Sequence, residues 1–124
     1  MKIVVVDDAT FIRSILKDIF SSLGHHVIAE FSNAKDLINN IENLDADLLT
    51  MDITMPDIDG ITATRIVKNL KPDLKVIVIS AITVSHIEEE AINCGANEFI
   101  QKPFSRDRIV QTVKRIESEL VDKN

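Results

Sequence analysis

The sequence predicts an α/β domain, a doubly wound parallel sheet with helices on both faces, built from five consecutive β–α units. Three observations predict it. Short β-branched apolar runs alternate strictly with longer segments whose apolar residues recur at helical spacing. The runs are nearly continuous, as strands covered on both faces require. The chain has 124 residues, 45% hydrophobic and 27% charged, which suits one domain with its own core and excludes a disordered chain.

The elements follow in order. Residues 2–6 (KIVVV) read as the first strand. Phe11, Ile12, Ile15, Leu16, Ile19 and Leu23 form a helical stripe that Gly24 ends. Residues 26–30 read as the second strand, and Asn33 is placed to cap a helix striped by Ala34, Leu37, Ile38 and Ile41. Residues 47–51 (DLLTM) read as the third strand, followed by a loop with Pro56, Asp57, Asp59 and Gly60. Asp57 and Asp59 suit the turn ahead of Gly60, and their spacing does not fit a calcium loop. The third helix carries Ala63, Ile66, Val67 and Leu70 and ends before Pro72. Residues 76–79 (VIVI) read as the fourth strand, and Ser85 with Glu88 has capping-box spacing for a helix ending at Cys94-Gly95. Residues 98–101 (EFIQ) read as the fifth strand, ahead of Pro103. Ser105 is placed to cap a last helix striped by Ile109, Val110, Val113, Ile116 and Leu120.

Composition excludes several function classes. Fourteen basic against twenty acidic residues give a net charge of −6, which argues against direct nucleic-acid binding by phosphate neutralisation. The first apolar run ends at Asp7-Asp8, too short and wrongly flanked for a signal peptide. No run approaches the roughly 18 apolar residues of a membrane span. The single cysteine, Cys94, suits a reducing compartment and reads as a small packed residue. The sequence therefore reads as cytoplasmic, without membrane insertion. His25 and His26 are adjacent on a strand and point apart, His86 reads as solvated, and Glu88-Glu89-Glu90 as a solvated helix face.

In open parallel sheets, ligands sit beyond the carboxyl ends of the strands. Asp7 and Asp8 follow the first strand, Asp52 the third, Ser80-Ala81 the fourth and Lys102-Pro103 the fifth. Three carboxylates, a hydroxyl and an ammonium thus converge on one edge, while the second strand offers only Phe31-Ser32. Close carboxylates raise one another's pKa unless a cation intervenes, and hard oxygen ligands favour Mg²⁺. A carboxylate beside such a metal is suited to accept a phosphoryl group. Lys102 would offset charge on the phosphoryl oxygens and Ser80 would donate a hydrogen bond.

At these residues the sequence resembles the receiver domains of response regulators, over essentially the whole chain. The matching pieces are Asp7-Asp8, Asp52-Ile53-Thr54-Met55-Pro56 with Asp59-Gly60, Ser80-Ala81 and Lys102-Pro103-Phe104. Receivers are themselves a standard instance of the strand-end rule, so that agreement is not independent. The resemblance implies a flavodoxin-like (βα)5 fold with strand order 2-1-3-4-5, one receiver domain over residues 1–124 and no effector domain. It implies Asp52 as phosphoacceptor, and Mg²⁺ held by Asp7, Asp8, Asp52 and the backbone carbonyl of Thr54. Lys102 corresponds to the phosphate-pairing lysine, with a cis peptide to Pro103. Ser80 corresponds to the switch hydroxyl. Phe99 stands at the switch-aromatic position, where it carries no phenol hydroxyl, and it reads equally as plain core. Thr54 and Ile82 fall at positions that tune phosphoryl lifetime in the family.

Within the family, Asp7-Asp8-Ala9-Thr10-Phe11-Ile12-Arg13 and Asp52-Ile53-Thr54-Met55-Pro56 are most similar to stand-alone chemotaxis receivers of the CheY type. That implies a signalling switch rather than an enzyme. Its partners would be a CheA-like sensor histidine kinase, a flagellar-motor switch or other output protein, and a phosphatase. Phosphorylation would turn Ser80 inward, let Phe99 bury and bias the face formed by the fourth helix, fifth strand and fifth helix. The alternatives are a receiver of another phosphorelay and the excised N-terminal receiver of a transcriptional regulator. A Mg²⁺-dependent phosphohydrolase ranks lower, because such enzymes carry a second acid where this chain has Thr54. A non-phosphorylated interaction module ranks lower because the full acidic and lysine set is present. A nucleotide or flavin site lacks its glycine-rich loop, since Gly24, Gly60 and Gly95 all lie elsewhere.

Overall fold

A computed structural model describes residues 1–122. Five strands and five helices alternate: β1 (Lys2–Val6), α1 (Thr10–Ser22), β2 (His26–Phe31), α2 (Ala34–Asn40), β3 (Leu48–Asp52), α3 (Gly60–Leu70), β4 (Lys75–Ser80), α4 (Ile87–Asn93), β5 (Glu98–Gln101) and α5 (Arg106–Asp122). A 3-10 turn at Ile41–Asn43 extends α2. All strand pairs are parallel and the order is β2-β1-β3-β4-β5, as expected. No described helix is long and apolar enough to cross a membrane.

Alternate strand residues point to opposite faces and build two cores. Val4, Val6, Leu49, Met51, Val76, Val78 and Phe99 pack with residues of α2, α3 and α4. Ile3, Val5, Leu48, Ile77, Ile79 and Ile100 pack under Leu16, Ile19 and Phe20 of α1 and Ile109, Val113 and Ile116 of α5. Both faces of β1, β3 and β4 are therefore apolar, which is why those strands read as continuous runs.

Several local expectations are corrected. Phe11 and Ile15, counted in the stripe of α1, are exposed. Leu70, counted in the stripe of α3, is exposed as well. The Ser85–Glu88 capping box does not form. Ile87 N–H donates to the Val84 carbonyl, and this turn delays α4, so that His86 takes the N-cap position without a side-chain bond. His86 instead approaches Glu90, at 3.8 Å. Asp52 and Ser80 close their strands rather than follow them. His25 precedes β2, is buried, and only His26 lies on the strand. The caps at Asn33 and Ser105 form as expected, through Asp36 N–H (2.8 Å) and Arg108 N–H (3.1 Å).

Two buried polar groups have measurable consequences. Thr50, level with Val5 and Ile77 in the sheet, buries Oγ1 with no partner among the described residues. A stranded hydroxyl is costly, whereas an apolar group of the same shape is not, so Thr50→Val is expected to stabilise the fold by about 1 kcal/mol. In a thermal melt this reads as a rise of roughly 4 °C; an unchanged or lower midpoint would show that the hydroxyl is satisfied in solution.

The Met1 ammonium lies 2.8 Å from His25 Nδ1, while Nε2 faces Glu117 at 4.0 Å. Nδ1 accepts only in a neutral ring. Burial and then the Met1 ammonium hold the His25 pKa below its ordinary value. The native state thus binds fewer protons than the unfolded state as pH falls through the ordinary histidine range, and stability is lost there. Replacing His25 with Gln is expected to flatten the fall in denaturation midpoint between about pH 7 and pH 5. Identical pH slopes for the two proteins would assign that loss to other groups.

Candidate functional site

Parallel register brings the carboxyl ends of β1, β3, β4 and β5 to one edge. Val6 is level with Met51, Asp52 with Ile79, and Ser80 with Gln101. The residues that close or follow these strands therefore meet. Carboxylate oxygens of Asp7, Asp8 and Asp52 lie within 4.8 Å of one another. Asp7 and Asp52 are buried and Asp8 is exposed. Lys102 Nζ stands 2.7 Å from Asp7 Oδ2 and 3.4 Å from Asp52 Oδ1. The peptide between Lys102 and Pro103 is cis.

The backbone fixes these side chains. Asp7 N–H donates to the Phe31 carbonyl (3.1 Å), and Asp7 Oδ1 accepts from Ala9 N–H (2.9 Å). Lys102 N–H donates to the Ser80 carbonyl (2.8 Å). Ser80 is fully buried, and its Oγ accepts from Ile82 N–H (3.0 Å), which leaves the hydroxyl proton to donate elsewhere. Phe99 is 7% exposed, inside the core beneath α2, α3 and α4. The expected inward movement of an exposed ring therefore has no exposed starting point in this conformation.

Thr54 is exposed in the loop 53–59, which leaves Asp52 and returns to it. Gly60 N–H donates to the Ile53 carbonyl (2.8 Å), and a Cβ on Gly60 would stand 2.1 Å from the Asp52 carbonyl oxygen. Only glycine allows α3 to begin so close to the site. Asp59 caps α3 through Thr62 N–H (2.9 Å). Asp57 bonds the Ile58 backbone within that turn and also reaches beyond it. Its carboxylate crosses to α2 and accepts from Ala34 N–H (3.1 Å) and Lys35 N–H (2.7 Å). No sequence signal foretold that role, nor that of Arg13, whose Nη1 donates to the Asp7 carbonyl (2.5 Å).

Three carboxylates face one ammonium, so the pocket is short of positive charge. An all-oxygen donor set with this deficit suits a hard divalent cation. Burial, then the Asp7 carboxylate, raises the pKa of Asp52, and Lys102 opposes the rise. An acid with a raised native pKa destabilises the fold as pH climbs through that pKa, because the unfolded state ionises more readily. In chelator, Asp52→Asn is therefore expected to melt higher than the parent at neutral pH, with the difference shrinking as the carboxylates protonate. A variant that melts lower at pH 7 would show that the Lys102 attraction outweighs burial and repulsion.

The chain is similar to known proteins in sequence and in fold. The sequence pattern of the response regulator receiver domain matches residues 3–114. Chemotaxis protein CheY of Thermotoga maritima is 38% identical over 115 residues, covering 93% of this chain and 96% of that protein. The crystal structure of a CheY-like receiver domain protein from Methanospirillum hungatei superposes with a TM-score of 0.91 at 26% identity, over 99% and 98% of the two chains. The CheX–CheY–BeF3–Mg complex of Borrelia burgdorferi matches with a TM-score of 0.85 at 31% identity, over 94% of this chain and 88% of that one. Sequence, fold and the clustered carboxylates agree, and the chain belongs to the response regulator receiver domain family.

Proposed function

We propose that this receiver is a phosphorylation switch in chemotaxis, with Asp52 as phosphoacceptor and Mg²⁺ as cofactor. The observation that carries the reading is the placement of Lys102 Nζ 2.7 and 3.4 Å from two carboxylates of a three-carboxylate cluster. The resemblance to CheY proteins supports the chemotaxis assignment, and the Borrelia relative was crystallised with BeF3 and Mg. The chain acts as one receiver unit whose output is partner binding rather than turnover of a substrate.

Asp7, Asp8 and Asp52, with the Thr54 carbonyl, are the residues that would hold Mg²⁺. Bound there, the ion supplies positive charge to the phosphoryl oxygens during transfer. The Asp52 carboxylate attacks the phosphorus of a phosphohistidine on a sensor kinase. One P–O bond forms as the P–N bond breaks, and the histidine nitrogen leaves with the bonding pair. Lys102 pairs with a phosphoryl oxygen, exchanging a carboxylate partner for a more highly charged one. The Ser80 hydroxyl donates to the new dianion, which draws its loop away from the Ile82 contact. Phe99 shares a core with Ile82, Ile87 and Ala91, so a shift of this loop reaches α4 and the α4–β5–α5 face. A flagellar-motor switch or other output protein reads that face, and a phosphatase resets it. An apolar groove of about 770 Å³ runs between α1 and the start of α5, bordering Lys102. Its exposed Phe11 and the neighbouring Phe104 offer the phosphodonor kinase a surface beside Lys102.

Intact mass after incubation with Mg²⁺ and acetyl phosphate tests the chemistry. The expected product is one phosphoryl adduct, labile to base, blocked by EDTA and lost in Asp52→Asn. A chain that stays unlabelled with this donor and also with a phosphorylated CheA-type kinase would overturn the reading. An adduct that persists in Asp52→Asn would place the acceptor elsewhere.

A further inference from the structure

Arg13 has no part in the acid cluster, yet it is tied to it. Its side chain is 13% exposed and spans from α1 across the loop after β1 to β2. Nη1 donates to the Asp7 carbonyl at 2.5 Å, Nε donates to Glu30 Oε1 at 2.8 Å, and Nη2 reaches Thr10 Oγ1 at 3.3 Å. Glu30 stands on β2 level with Val5, directly beside the strand that delivers Asp7. Its second oxygen binds Lys17 Nζ at 2.6 Å, so Lys17 occupies the other side of the same carboxylate.

Every polar atom of Asp7 is thereby engaged. The N–H goes to Phe31, the carbonyl to Arg13, Oδ1 to Ala9 N–H and Oδ2 to Lys102. The first two bonds hold the peptides on either side of Asp7, and these aim both Asp7 and the following Asp8. The guanidinium points at the carbonyl rather than at the carboxylates, so it orients the loop without filling the cation site. Its planar fork bonds a carbonyl and a carboxylate together, which an ammonium cannot reproduce.

We propose that Arg13, aimed by Glu30, is a positioning residue that sets the Asp7–Asp8 backbone for divalent-cation binding. The inference rests on the reading that this pocket holds Mg²⁺. Its sign separates it from simple electrostatics. Removing a cation near three carboxylates strengthens Mg²⁺ binding if Arg13 acts by charge alone. Removing a positioning group weakens it.

The experiment is Mg²⁺ titration of the whole chain, followed by calorimetry and by the amide resonance of Ala9, which reports on Asp7 Oδ1. The chain has no Trp or Tyr, so intrinsic fluorescence does not serve. Arg13→Ala is expected to bind Mg²⁺ about 10-fold more weakly, the lower range for loss of an outer-sphere partner. Arg13→Lys keeps the charge and is expected to recover only part of the affinity. Glu30→Gln keeps the fold's shape and is expected to weaken binding in the same direction. Combined with Arg13→Ala it is expected to add little, since the two act as one unit. Equal or tighter Mg²⁺ binding by folded Arg13→Ala or Arg13→Lys would overturn the proposal, as would full additivity of the pair. Should Arg13→Ala fail to fold, Arg13→Lys decides the matter, since it keeps the charge and changes only the geometry. A parent chain that shows no saturable Mg²⁺ binding would overturn the cofactor reading itself, and the positioning role with it.

Discussion

The contact between Lys102 and Asp7 holds the site together. Three carboxylates crowded at one sheet edge repel, and among them stands a single ammonium, 2.7 Å from Asp7 and 3.4 Å from Asp52. Both partners of the closer pair are largely buried, with side chains 15% and 3% exposed. Removing one partner of a buried pair costs about 3–5 kcal/mol, because the other charge is left uncompensated. The pair also spans the sheet in sequence, joining the loop after β1 to the residue after β5. Lys102 is thus a structural counter-ion at rest, and under the proposed function the same ammonium would have to leave a carboxylate to meet a phosphoryl oxygen.

The sheet makes this crowding possible. Parallel strands in the order β2-β1-β3-β4-β5 place β1, β3 and β4 at the centre, apolar on both faces. Apart from Thr50 in β3, their polar side chains lie at the ends, where backbone bonds orient the site: Asp7 N–H to Phe31, Lys102 N–H to Ser80, Gly60 N–H to Ile53. The loop 53–59 adds a cross-link. Asp59 caps the helix it precedes, whereas Asp57 caps α2, so one loop fixes the start of two helices and stands between them. Four backbone N–H groups at a helix start lack partners within the helix, and α2 draws two of its partners from this distant carboxylate.

Much of this was legible in the residues. Strict alternation of β-branched runs and amphipathic segments required a covered parallel sheet, and the strand-end rule then gathered Asp7, Asp8, Asp52, Ser80 and Lys102. What was hidden depends on long-range partners. Asp57 meets Ala34 and Lys35, and Arg13 meets Glu30 on the neighbouring strand, contacts that no local spacing encodes. The start of α4 misled because Ser85–Glu88 has the right spacing, but a preceding turn captured the Ile87 N–H. Phe11 and Ile15 misled in another way. Helical periodicity marks an apolar stripe without saying whether the protein itself covers it, and here part of the stripe borders an open groove.

The closeness of Gly60 to the Asp52 carbonyl inverts the usual ranking of mutational severity. The loop 53–59 starts and ends at nearly one point, clasped by the Gly60–Ile53 hydrogen bond. Chain added at the outermost part of such a loop loses closure entropy slowly, about 0.6 kcal/mol for each doubling of its length. A single methyl at position 60 instead falls 2.1 Å from a backbone oxygen that cannot rotate away. One carbon atom there disturbs the peptide of Asp52 itself, more directly than a change of length in the exposed part of the loop. For anyone grafting a sensor or a tag onto this domain, the loop is no free address either, since Asp57 holds α2 and Met55 and Ile58 pack on the core.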